Sequence, residues 1–105
     1  MLERESHPTA IIAGNDVIAQ GIIYAVQAKG LHVPNDISVT GIGDFSGSAA
    51  AFPSISTVRM RPNKVGKTAA SVLLERINGD RTLEPIRIEV SVEVKCRDSS
   101  KALAI

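Results

Sequence analysis

Apolar and polar residues alternate along the chain with several different periods, and their order predicts an α/β domain. Thr9-Ala10-Ile11-Ile12-Ala13 is an apolar run without polar alternation, the pattern of a parallel-sheet strand covered on both faces. It ends at Gly14-Asn15-Asp16, where Asn15 is placed to cap a helix and Asp16 puts a negative charge at the end that the helix dipole favours. Ile18, Ile22, Ala25, Val26 and Lys29 then recur at helical spacing, and Gly30 is placed to close the helix in a left-handed conformation. The first helix is therefore expected over residues 16–29. Pro34 and Asn35-Asp36 supply turn chemistry before a second strand at residues 37–42, which completes a βαβ unit with a right-handed crossover.

Residues 43–53 are small and rich in Ala, Ser and Gly, with room for one helical turn near residues 48–51. A third strand is expected at residues 55–59. Pro62 opens a second helix reaching Ile77, with Ala69, Val72, Leu73 and Ile77 as its apolar stripe and Gly79 as its stop. Ile86, Ile88, Val90, Val92, Val94 and Cys96 alternate with polar residues without a break, which predicts a long last strand with the apolar set buried. Cys96 then reads as a small core hydrophobe. Residues 99–105 show no pattern and are expected to fray.

Composition narrows the picture. A chain of 105 residues is the size of one domain, and a 44% hydrophobic share excludes disorder throughout. With only Tyr24, Phe45 and Phe52 aromatic, the core must be aliphatic, and a stacking platform for single-stranded nucleic acid is excluded. Twelve basic against eleven acidic side chains give no footprint for a phosphate backbone. The one cysteine closes no internal disulfide, and no Cys/His spacing suggests zinc, so neither metal nor cofactor is expected. The first residues lack a signal peptide's apolar stretch, and no run nears the roughly 20 apolar residues of a membrane helix. A cytoplasmic protein without membrane contact is the expectation.

The candidate chemistry lies at strand ends, since ligands of open α/β sheets bind outside the carboxyl ends of the strands. Asn15 offers an amide donor and a carbonyl acceptor to a hydroxyl-rich ligand, although a plain helix cap is the commoner role of such a residue. Asp44 could accept from a sugar hydroxyl and Phe45 could stack on a sugar face, with Gly41 and Gly43 permitting a close turn. A solvated carboxylate with an anchoring Phe is the bland counterpart. Gly41, Gly43 and Gly47 are spaced one residue too far for a dinucleotide fingerprint. His7 and His32 have no partner at catalytic or metal spacing, and no serine sits in a nucleophile elbow. Arg59 and Arg61 could face an anion, solvated loop arginines being the default. Without a nucleophile, base and orienter, an enzyme is disfavoured.

Several stretches, read in order, resemble the lactose/galactose-repressor (LacI/GalR) family of transcriptional regulators. They are Pro8-Thr9-Ala10-Ile11, Gly14-Asn15-Asp16, Val33-Pro34-Asn35-Asp36-Ile37-Ser38-Val39, Thr57-Val58-Arg59, Gly66 to Ala69, Leu73 to Ile77 and Arg97-Asp98-Ser99. Each is weak alone, but their order and spacing from about His7 to Ser100 are specific. The resemblance implies a partial type I periplasmic-binding-protein-like fold: a parallel βαβ unit, a crossover helix and a long C-terminal strand. Residues 1–105 would be a fragment of the effector-binding domain, with 7–59 and 86–98 in one lobe and 60–84 crossing into the other. Family members bind a small effector (a sugar, a sugar acid or a purine) between two lobes, and thereby alter operator binding by an N-terminal helix-turn-helix that these residues do not contain. By matching position, Asn15, Gly43, Asp44, Phe45, Arg59 and Met60 are the implied ligand contacts, with Asp16 structural. Asp44 stands one place later than the usual acid. Ile18, Ile22, Ile23, Val26, Ser48 and Phe52 fall on the family's homodimer face. The isolated chain is expected to self-associate through its unpaired apolar surfaces, to close no full cleft and to bind no operator. A periplasmic sugar-binding protein of a transport system is the alternative on the same fold.

Overall fold

The computed structural model describes residues 6–79 and 84–103. The chain divides into two compact units. One runs up to Arg59 and resumes at Glu93, and the other is Met60–Val92.

In the first unit, β1 (Ala10–Ile12), α1 (Asp16–Ala28) and β2 (Ser38–Thr40) form the expected βαβ, with β1 parallel to β2 and Ile11 opposite Val39. β3 (Thr57–Arg59) follows on the far side of β2, tied to it by parallel bridges at Thr40–Ser56 and Gly43–Arg59. β4 (Glu93–Lys95) runs antiparallel to β3, with Glu93 opposite Arg59. The core is aliphatic, as the shortage of aromatics requires: Ala13, Ala19, Ile23, Val26, Ile37, Val39 and Ile55 are buried together. Ala19, Ile23 and Val26 recur at helical spacing and so form the one stripe by which α1 covers the sheet. Each large aliphatic side chain buried this way is worth about 1.5–3 kcal/mol relative to exposure.

The ends of α1 follow its sequence signals. The Asn15 side-chain oxygen accepts from the Ile18 N–H at 2.9 Å. At the other end Lys29 is the cap and Gly30 takes φ +76°, its N–H reaching the Gln27 carbonyl at 3.0 Å. The expected single helical turn is present, the Ala51 N–H donating to the Gly47 carbonyl at 2.9 Å. Two expectations are corrected. β1 is not covered on both faces: Ile12 is 79% exposed, because among the described residues α1 covers one face and nothing covers the other. The last strand is short, and the parity of its burial is inverted: Glu93, Lys95 and Arg97 are half-buried while Val94 and Cys96 are exposed. Cys96 is thus not a core residue. Its polar neighbours face the covered side because the charges described below draw them there.

The segment after Arg97 is not frayed either, as far as residue 101. Ser99 is fully buried. Its N–H donates to the Ser54 carbonyl at 2.9 Å, its carbonyl accepts from Val39 N–H at 2.8 Å, and its hydroxyl accepts from Ser56 N–H at 2.9 Å while donating to the Val39 carbonyl. Residues 99–101 thereby occupy the edge of β2 that β3 leaves open. Residues 104–105 of the tail lie outside the described residues.

In the second unit, α2 (Pro62–Asn78) has Pro62 in its first turn, where the missing N–H costs nothing, and Gly79 as its C-cap. Its predicted apolar stripe is present but buries no residue, with Leu73, Leu74 and Ile77 each more than half exposed. Val65, Ala69 and Val72 of α2 line a groove of about 360 Å³ with Ile86, Ile88 and Val90.

Candidate functional site

Parallel strands deliver their carboxyl ends to one edge, and the hydrogen bonds show how closely the following turns lie there. The Asp16 N–H donates to the Ile42 carbonyl at 3.2 Å, and the Gly43 N–H to the Val58 carbonyl at 2.8 Å. The turn after β1, the turn after β2 and the end of β3 therefore form one continuous rim: Asn15, Gly43-Asp44, Arg59.

Asp16 organises this rim from below. It is buried, and its carboxylate accepts from the Ser48 hydroxyl, from the Thr57 hydroxyl at 2.6 Å and from the Phe45 N–H at 3.4 Å. One side chain at the start of α1 thus holds the turn after β2 and the start of β3. Gly41 is required beside it, since a Cβ there would stand 2.2 Å from the Asp16 Oδ1. Gly43 takes φ +128° and a Cβ on it would meet the Phe45 ring at 2.4 Å, so the ring lies against the glycine. Phe45 lines a groove of about 530 Å³ with Val17, Gln20 and Tyr24 of α1.

Asp44 follows with φ +55°, a left-handed conformation uncommon outside glycine. The turn aims its carboxylate at β3 and β4. Its Oδ1 lies 2.8 Å from Arg97 Nη1 and its Oδ2 lies 3.3 Å from Arg59 Nε, and the side chain is 6% exposed. Arg97 also donates to the Ile55 carbonyl at 3.1 Å. The Arg97 hydrogen bond, with the charges of Arg97, Arg59 and Lys95, holds the Asp44 carboxyl below its usual 3.8 against the opposing effect of burial. A carboxyl depressed in the folded state contributes stability that is complete above its unfolded value and is lost as pH falls through the folded value. Unfolding midpoints measured from pH 6 down to pH 2 should therefore show an acid loss that Asp44→Asn reduces. An identical acid limb in both proteins would show the ion pairs to be energetically idle.

The six implied ligand contacts are placed as follows. Asn15, Gly43, Asp44 and Arg59 stand on the rim, and Phe45 is seated over Gly43. Asn15 spends its side-chain oxygen on the helix cap, and both Asp44 oxygens have guanidinium partners. Met60 belongs to the second unit, where it is exposed. Of the implied dimer-face residues, Ile23 and Val26 are buried in the core and Ser48 is buried against Asp16. Ile22 is half-buried. Ile18 and Phe52 are exposed, as are Val17 and Tyr24. Ser48, Thr57 and Arg97 carry the polar framework, a role the sequence did not announce: Ser48 was expected on the dimer face, and Thr57 and Arg97 stood out only within the Thr57-Val58-Arg59 and Arg97-Asp98-Ser99 stretches.

Residues 1–100 match the periplasmic binding protein-like domain family. The chain is 40% identical over 99 residues to the HTH-type transcriptional repressor PurR of Aliivibrio salmonicida, covering 94% of this chain and 29% of that protein. The lac repressor dimer bound to operator and an anti-inducer superposes with a TM-score of 0.81 at 29% identity, over 90% of this chain and 32% of that one. A LacI family transcriptional regulator from Enterococcus faecium with bound ribose gives 0.78 at 26% identity, over 91% and 35%. The chain thus spans about 30% of the length of the curated relatives it matches.

Proposed function

Because the chain belongs to the periplasmic-binding-protein-like domain family, as the effector-binding part of a LacI-type regulator, we propose that its strand-end rim forms one wall of the site for a small polar effector. The proposed effector is a sugar-like molecule. Its binding would alter operator affinity through a DNA-binding module outside these residues, in a cytoplasmic homodimer. No step of this role calls for catalysis. The adjacency of the Asn15 and Gly43-Asp44 turns at one sheet edge carries the reading, because two polar turns fixed by the same backbone hydrogen bonds offer a preorganised surface. Arg59 closes the rim. Ile18 and Phe52, which are exposed, remain available for the proposed dimer face.

The test is ribose binding, ribose being the ligand carried by the E. faecium relative, followed by backbone amide shifts of the labelled chain. Ribose should shift the amides of Asn15, Gly43 and Asp44. Asn15→Ser keeps the helix cap but removes the amide donor, and should weaken that response by about tenfold, the value of one good hydrogen bond. Ribose, other neutral sugars and sugar acids all leaving these amides unmoved would overturn the proposal.

A further inference from the structure

The rim is not electrically neutral, and the way its charges are paired leaves one cation facing outward. Lys95 and Glu93 pair with each other at 2.9 Å. Arg97 is mostly covered and uses its Nη1 on both Asp44 and the Ile55 carbonyl. Asp44 must then serve two guanidiniums with a single negative charge. The surplus falls on Arg59, whose side chain is 51% exposed.

The geometry of Arg59 makes that surplus usable. Asp44 engages it only through Nε, at 3.3 Å. A guanidinium held at Nε keeps both terminal amino groups for another partner, and that outer pair matches the two oxygens of a carboxylate or phosphate. A buried carboxylate also fixes the side chain in advance, which lowers the entropy cost of binding. Arg59 bridges to Gly43, and the Asp16 N–H bonds to the neighbouring Ile42 carbonyl, so the backbones of Arg59 and Asn15 flank the end of β2, two strand spacings or about 10 Å apart. That spacing is within reach of one small polar molecule and a long arginine side chain.

We propose that the effector carries an anionic oxygen group, carboxylate or phosphate, and that Arg59 receives it while Asn15 contacts the hydroxyl-bearing part. This rests on the reading of the rim as an effector wall. Asp44 is a positioning residue in this arrangement, since it acts by holding Arg59.

The experiment titrates the isotope-labelled 105-residue chain with glucose, gluconate, glucose 6-phosphate and inorganic phosphate at constant ionic strength. Amide shifts at Asn15 and Gly43 and the Nε–H of Arg59 are the readouts. At least one organic anion should bind ten-fold or more tightly than glucose and shift both Asn15 and Arg59, and the better of the two identifies the anionic group. Arg59→Gln should bring that anion down to the level of glucose, and Arg59→Lys should restore part of the preference. Equal binding of glucose and both anions, or a preference that survives Arg59→Gln in a chain with an otherwise unchanged spectrum, would overturn the anion assignment and leave the rim proposal standing. Inorganic phosphate shifting Arg59 as strongly as the organic anions would also overturn it, by showing a simple ion contact. No shift at Asn15 or Gly43 with any probe would overturn both readings.

Discussion

Asp16→Ala should destabilise the first unit by about 3–5 kcal/mol, as judged from hydrogen bonds to a charged acceptor and the cost of buried donors left unpaired. Removing the carboxylate leaves the buried hydroxyls of Ser48 and Thr57, and the half-buried Phe45 amide, without their acceptor. Natural domains hold about 5–15 kcal/mol in all, so this one change consumes much of the margin. Urea unfolding followed by far-UV circular dichroism measures it as a shift in midpoint at constant slope. Asp16→Asn keeps the shape and part of the accepting capacity, and should fall between wild type and Ala. If Asp16→Ala costs less than about 1 kcal/mol, the range of a single neutral hydrogen bond, Asp16 is not the organiser of the rim.

Gly41→Ala should be nearly as damaging, by about 3 kcal/mol, the upper end of ordinary overpacking. The added methyl would meet Asp16 Oδ1 at 2.2 Å and the Asp16 backbone Cα at 3.0 Å, and the second of these cannot swing aside. The same unfolding assay reads the effect. Gly21→Ala is the matched control: it lies inside α1 with nothing within 4 Å of the new methyl, so helix propensity alone should raise stability by about 0.5–1 kcal/mol. The double variant Asp16→Ala/Gly41→Ala should lose less than the sum of the singles, because the first change removes part of what the second collides with. Strict additivity would mean that the two residues do not meet.

Local patterns made α1 legible. Asn15 and Gly30 are residue types whose chemistry acts within a few positions, and both ends of the helix follow from them. The parallel pairing of β1 and β2 was legible for a similar reason: a strand, a helix and a strand of these lengths leave few arrangements. The parity of β4 was not. A period of two divides Val94 and Cys96 from Glu93, Lys95 and Arg97, but it does not say which set will be covered. That choice depends on Asp44, some fifty residues earlier, whose carboxylate turns the polar set toward β3. The burial of Asp16 was hidden likewise, since a carboxylate at a helix start is usually solvated and its partners Ser48 and Thr57 are distant in sequence. The rim residues were found because strand ends can be located from the strands themselves. How each of them is used depends on which side chains arrive from elsewhere, and Arg97 arrives last.

Ser99 ties Val39, Ser54 and Ser56 together after the chain has already travelled through Met60–Val92. While the protein is being made, the Val39 end of one β2 edge, which β3 does not reach, therefore stays unpaired until residues 99–101 have left the ribosome. The rim cannot become rigid much before then, since Arg97 and β4 emerge just ahead of those residues. Translation pauses within residues 60–92 would prolong that vulnerable interval, and chaperone dependence of the newborn chain should centre on it.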